Sequence, residues 1–126
     1  MSTEIARVLA DGRARLGDDP GAAERIGRQM ALSIRPAEAS IVLHWAGDAD
    51  SVLAHVVARE LNVARVCITI DEGLMYFSSP LPEACSAALV GFAFTADRPA
   101  TAIGAYLESR GHRLARTADV AGLTES

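Results

Sequence analysis

SIVLHWAGDADSVLAHVVARELNVARVCITI, residues 40–70, is the stretch on which the fold turns. Ser40 to Trp45 is a continuous apolar run too short for a helix, and so it reads as a buried strand. AGDADS, residues 46–51, then reads as a turn. Val52, Leu53, Val56, Val57 and Leu61 recur at helical spacing and define a helix that ends near Asn62. Val63 to Ile70 is rich in β-branched residues and reads as a second strand. Strand, helix and strand within about 30 residues make a βαβ unit, which requires a parallel pair joined by a crossover.

The same alternation continues toward the C-terminus. Ala87 to Phe94 reads as a third strand, and Pro99 to Arg110 as a helix that buries Ile103, Tyr106 and Leu107, with Gly111 at its stop. His112 to Val120 supplies a fourth strand. Upstream, Thr3 to Leu16 reads as one amphipathic helix bearing Ile5, Val8, Leu9 and Leu16. A second runs from about Ala22 to Ile34, with Pro36 marking its end. Between the second and third strands, DEGLMYFSSPLPEA, residues 71–84, has no sustained period and holds two prolines, so a long loop is expected. The expected architecture is a parallel α/β sheet covered on both faces, with right-handed crossovers, in a single domain of residues 1–126. Ligands of such sheets bind at the carboxyl ends of the strands, so AGDADS, the long loop and TADRPAT are expected to share one rim.

Composition narrows the function classes. A chain of 126 residues suffices for one core burying roughly two thirds of the unfolded surface, without a disulfide or metal staple. A net charge of −4 offers no electrostatic basis for wrapping nucleic acid or binding an anionic membrane. All 12 basic residues are Arg, which excludes chemistry that needs a lysine. Cys67 and Cys85 stand in apolar runs without CxxC spacing and read as small core residues. STEIARVLADGRARLG is charged throughout and lacks an apolar signal region, and no run approaches about 18 apolar residues. A cytoplasmic location is expected.

The order of elements resembles the type I phosphoribosyltransferase family, especially its orotate phosphoribosyltransferase-like branch. The resemblance covers about Ile26 to Val120 and is closest in LAHVVAREL and in the final helix ending ESRGH. It implies a three-layer, Rossmann-like phosphoribosyltransferase core preceded by two N-terminal helices. In active family members the third strand ends in two acidic residues, followed by a Thr/Gly/Ser-rich loop that cradles the 5-phosphate of phosphoribosyl pyrophosphate. Here the acidic pair falls on Gly91 and Phe92, and of the loop only Thr95 matches cleanly. Ala96, Asp97, Arg98 and Pro99 stand where amides and hydroxyls would be expected, and Pro99 removes one donor outright. Asp97 would repel a phosphate at a helix N-terminus, which Arg98 could offset. The pyrophosphate-loop position falls on AGDADS, where Asp48 and Asp50 replace close backbone approach. A basic residue of the catalytic loop is absent from residues 71–84, and no hood subdomain is large enough for a nucleobase.

The resemblance therefore implies a degenerate phosphoribosyltransferase-like protein, acting as a homodimer or with a protein partner. Leu74, Met75, Tyr76 and Phe77, followed by Pro80, Leu81 and Pro82, form the expected interface, unless they fold back onto their own core. The alternative is an active enzyme or sensor for a small phosphorylated sugar or nucleotide. Its ligand-binding candidates are Gly47, Ser51, Thr95, Ala96, Arg98 and Thr101, and its acid/base candidates His44, Asp48, Asp50, Asp71, Glu72 and Asp97. One Asp of AGDADS serves equally as a helix cap. His44, Asp48, Asp50 and His55 fit no established ligand spacing, so no metal and no cofactor is expected.

Overall fold

The computed structural model describes residues 3–34, 38–96 and 98–123. Five strands form one sheet in the order β3-β2-β1-β4-β5, built from β1 (Ile41–Trp45), β2 (Ala64–Asp71), β3 (Leu74–Phe77), β4 (Ser86–Gly91) and β5 (Arg113–Asp119). β1 pairs in parallel with β2 and β4, and β4 in parallel with β5, whereas β3 runs antiparallel to β2. The helices are α1 (Thr3–Asp11), α2 (Arg13–Gly17), α3 (Pro20–Ser33), α4 (Asp48–Leu61), α5 (Ala100–Ser109) and α6 (Val120–Leu123). None is long and apolar enough to cross a membrane.

Every residue of β1 is buried, as a central strand covered on both faces requires. Its pleat divides the core. Val42 faces a layer holding Ile5, Leu16, Ile26, Met30, Leu53 and Val57 from α1 to α4. Ile41, Leu43 and Trp45 face Val66, Ile68, Ile103 and Leu107, the last two from α5. The three-layer arrangement therefore follows from two apolar faces on one strand. Cys85 is buried in the second layer, while Cys67 is only half-buried.

Three expectations need correction. The first helix is broken in two because Gly12 adopts φ 93, a left-handed conformation open to glycine at little cost. Three helices thus precede β1 in place of two. AGDADS is not a turn throughout: α4 starts at Asp48, with Gly47 at φ 142 before it. The third correction concerns residues 71–84. Glu72 and Gly73, at φ 52 and 78, form a two-residue turn with the left-handed geometry of a type I′ hairpin. Asp71 pairs with Leu74, and Ile68 with Phe77. The expected interface loop is therefore an edge strand, and the sheet is mixed. Only the hairpin turn lies toward the carboxyl rim. Ser78 donates its N–H to the Cys67 carbonyl, and Arg113 donates to that of Cys85, so residues 78–85 lie toward the opposite end.

Candidate functional site

The rim is built where β1 and β4 end. α4 begins two residues after β1 and carries Asp48 and Asp50 in its first turn, where the helix field favours carboxylates. Asp48 is exposed, but the Asp50 side chain is 2% exposed and points inward. Arg13 Nη1 lies 2.9 Å from both of its carboxylate oxygens, and the Phe92 N–H donates to Oδ1 at 2.9 Å. Arg13 also donates to the Ala93 carbonyl at 3.1 Å and lies over the Phe92 ring, 5.4 Å from its centre. Arg98 Nε stands 3.7 Å from the other oxygen, Oδ2. Asp50 is thus a paired structural carboxylate and not a helix cap.

The same accounting extends along the chain after β4. Phe94 N–H donates to Asp119 Oδ2 at 3.2 Å, and the Phe92 carbonyl accepts from Val120 N–H at 3.0 Å. Two amides in the segment that leaves the strand toward the rim, those of Phe92 and Phe94, are held by the protein's own carboxylates. A Cβ added to Gly91 would lie 3.6 Å from the Asp50 carboxylate and 3.3 Å from the Phe94 ring. An acidic residue there would meet a second acid at close range.

His44 is fully buried on β1, in the layer that faces α4. Arg65 Nη1 donates to its Nε2 at 2.9 Å, so its Nδ1 carries the proton and donates to the Trp45 carbonyl at 2.9 Å. Burial, aided by the Arg65 charge, moves the imidazole pKa below its ordinary value. A ring with both nitrogens engaged inside the protein is a packing group, with no free lone pair for a proton transfer.

The other candidate residues separate. Gly47 and Arg98 meet, with Arg98 Nη2 lying 3.8 Å from the place of a Cβ on Gly47. Thr95 and Ala96 are exposed in the loop, and Thr101 is exposed on α5. Ser51 and His55 line a different cleft of about 400 Å³ between α3 and α4, with Arg59 and Arg65. Asp71 and Glu72 are exposed at the hairpin turn. Asp97 lies outside the described residues. Among the described residues no group of three or more His, Cys, Asp or Glu is placed to hold a metal. Leu74 to Phe77 form β3, with Leu74 and Tyr76 exposed and Met75 and Phe77 partly buried against the α5 layer.

Sequence reasoning missed two features here. Arg13 was read only as part of a helix, and its partner is 37 residues away. The sequence reads Trp45 as the last residue of a buried strand, but it also lines an open cleft of about 280 Å³ with Ala46, Ile68, Thr69, Ile70 and Arg98. Its Nε1–H is buried and has no acceptor among the described residues.

An alternating sheet and helix framework with these rim loops is the phosphoribosyltransferase-like fold. The chain is similar to the crystal structure of adenine phosphoribosyltransferase from Thermoanaerobacter pseudethanolicus ATCC 33223, at a TM-score of 0.63 and 12% identity, over 81% of this chain and 68% of that one. At that identity the likeness is one of fold. No family profile matches the sequence, and no curated protein matches it.

Proposed function

We propose that this chain is a phosphoribosyltransferase-like protein without phosphoribosyl transfer, acting through association of its exposed hairpin edge with a second copy of itself. The observation that supports the loss of transfer is the engagement of the strand-end amides. Phe92 and Phe94 N–H donate to Asp50 and Asp119, so neither is offered to an anion. Where the resemblance places two ribose- and metal-facing acids, Gly91 has no side chain and Phe92 is buried.

Association rests on the contrast between the two sheet edges. β5 carries Arg113, Arg116 and Asp119, charges that blunt edge pairing, whereas LMYF of β3 carries none. Of the four exposed large apolar residues among those described, Ile70, Leu74 and Tyr76 belong to the hairpin. The same uncharged strand brought against itself antiparallel meets no like-charge repulsion and closes a two-fold pair.

The test has two arms. Incubation with phosphoribosyl pyrophosphate, magnesium and each of adenine, guanine, hypoxanthine and orotate is expected to release no pyrophosphate above blank, and light scattering is expected to give a dimer mass. Turnover that disappears in Thr95→Ala overturns the first half of the reading. A monomer at all concentrations overturns the second.

A further inference from the structure

We propose that the cleft between residues 75–81 and the C-terminal end of α5 is a binding site for a small aromatic carboxylate, its ring laid against Phe77 and Tyr106 and its charge held by Arg110. The cleft measures about 530 Å³, within the roughly 300–1,000 Å³ usual for ligand sites. It goes beyond hairpin association and is not the rim. Arg113, where α5 has led into β5, donates its N–H to the Cys85 carbonyl, which puts this cleft at the opposite end of the sheet.

The ring site is built from accessible aromatic surface. Aromatic residues make up only 5% of the chain, yet two of them meet here, with the Phe77 and Tyr106 ring centres 5.4 Å apart and the planes tilted by 35°. Both residues line the cleft and both are only half-buried. Met75 and Leu81, packed against the α5 layer, complete an apolar wall. A third ring set against this pair gains edge and face contacts beyond the burial of its area, which an aliphatic body does not.

Charge selects the class. Arg110 stands at the end of α5 with its guanidinium over the Tyr106 ring, 5.2 Å from the centre. The residue is exposed, and it makes no ion pair among the described residues. Its planar fork, laid on the ring, keeps N–H edges for a carboxylate in the same plane. No acidic residue is among those that line the cleft. His112 supplies no second cation, because its Nδ1 accepts from the Cys85 N–H at 3.1 Å and the ring proton therefore sits on Nε2. A helix C-terminus carries the equivalent of roughly half a negative charge, which offsets part of the Arg110 cation. One cation so reduced matches a carboxylate and not the two charges of a phosphate ester.

The chain has two tyrosines, so a sample labelled with ¹³C-tyrosine gives two sets of ring signals, which Tyr76→Phe assigns. Titration with 2-naphthoate is expected to shift the Tyr106 signals saturably. The amide 2-naphthamide, which keeps the rings without the charge, is expected to bind about tenfold more weakly, equivalent to about 1.4 kcal/mol. The saturated acid decahydronaphthalene-2-carboxylate, which keeps the charge without the aromatic faces, is expected to bind about fivefold more weakly. Arg110→Gln is expected to weaken 2-naphthoate by about tenfold. Ser79→Glu, at an exposed position on the lip of the cleft, adds a negative charge there and is expected to weaken it comparably without unfolding the protein. No saturable shift at Tyr106, equal affinity for the amide or for the saturated acid, or 2-naphthoate binding that both variants leave intact would overturn the proposal. None of these results depends on dimer mass or on pyrophosphate release.

Discussion

Arg13 grips both oxygens of Asp50 with one nitrogen, at 2.9 Å each, and so ties the five-residue α2 to the first turn of α4 and the end of β4. The carboxylate is 2% exposed and the guanidinium 24%, which makes the pair one of buried charge with a wet side. Removing one partner of such a pair strands the other, at a cost of about 3–5 kcal/mol. Arg13→Met is expected to fall in that range, less whatever Arg98 recovers from 3.7 Å. Asp50→Asn with Arg13→Met is expected to cost less than the sum of the single changes. Urea unfolding of the four proteins in the cycle measures this, and strictly additive costs would mean that the pair is not coupled.

Gly27 on α3 meets Val56 on α4 closely enough that a Cβ at 27 would lie 2.7 Å from the Val56 Cβ and Cγ1. Helix propensity favours Ala over Gly by up to about 1 kcal/mol, but overpacking a core costs about 1–3 kcal/mol. The steric effect wins here because the contact is with a β-branched side chain rather than a flexible tip. Gly27→Ala is expected to lower the melting temperature, and adding Val56→Ala to recover part of the loss. A stabilised single variant would show that the two helices separate freely.

His44 makes stability depend on pH. Burial lowers its native pKa below the ordinary 6.5, so the unfolded chain takes up the proton first as pH falls. Its contribution is complete above pH 6.5 and declines below it, until the native ring is itself protonated. Urea midpoints on either side of that value are expected to drop toward acid, with a smaller drop in His44→Gln. The imidazole ¹⁵N shifts should report the neutral Nδ1–H form, and a native pKa above 6.5 would contradict the geometry.

The βαβ core was legible because its signals are local and redundant. Residues 41–45 are apolar without interruption, and Val52, Leu53, Val56, Val57 and Leu61 keep one helical stripe up to Asn62, which caps α4 at φ 57. The hairpin was not legible for a physical reason. Met75 and Phe77 turn toward the α5 layer while Leu74 and Tyr76 face away, so both faces are apolar and period two vanishes. Glu72 in a left-handed turn position also lacks the usual Asn or Asp signature. At the rim, the sequence placed Asp50, Arg98 and Gly91 together. It could not show that Asp50 is neutralised from α2, because an ion pair spanning 37 residues leaves no periodic trace.

The edge of β3 gives the last prediction. Leu74 and Tyr76 are 60% and 49% exposed, on the face that looks away from α5, and Ile70 is exposed on the other face. Phe77 differs from them: it packs against the α5 layer with its ring 5.4 Å from that of Tyr106, and changing it would disturb the core as well as the edge. Leu74→Lys with Tyr76→Lys is therefore the informative pair, since lysine on an edge strand opposes pairing and neither side chain supports the core. In a β3–β3 dimer the four added charges would face one another across the two-fold axis. The variant is expected to scatter light as a monomer, with unchanged far-UV circular dichroism and a melting temperature no longer dependent on protein concentration. A dimer that survives both lysines would place the interface elsewhere on the molecule.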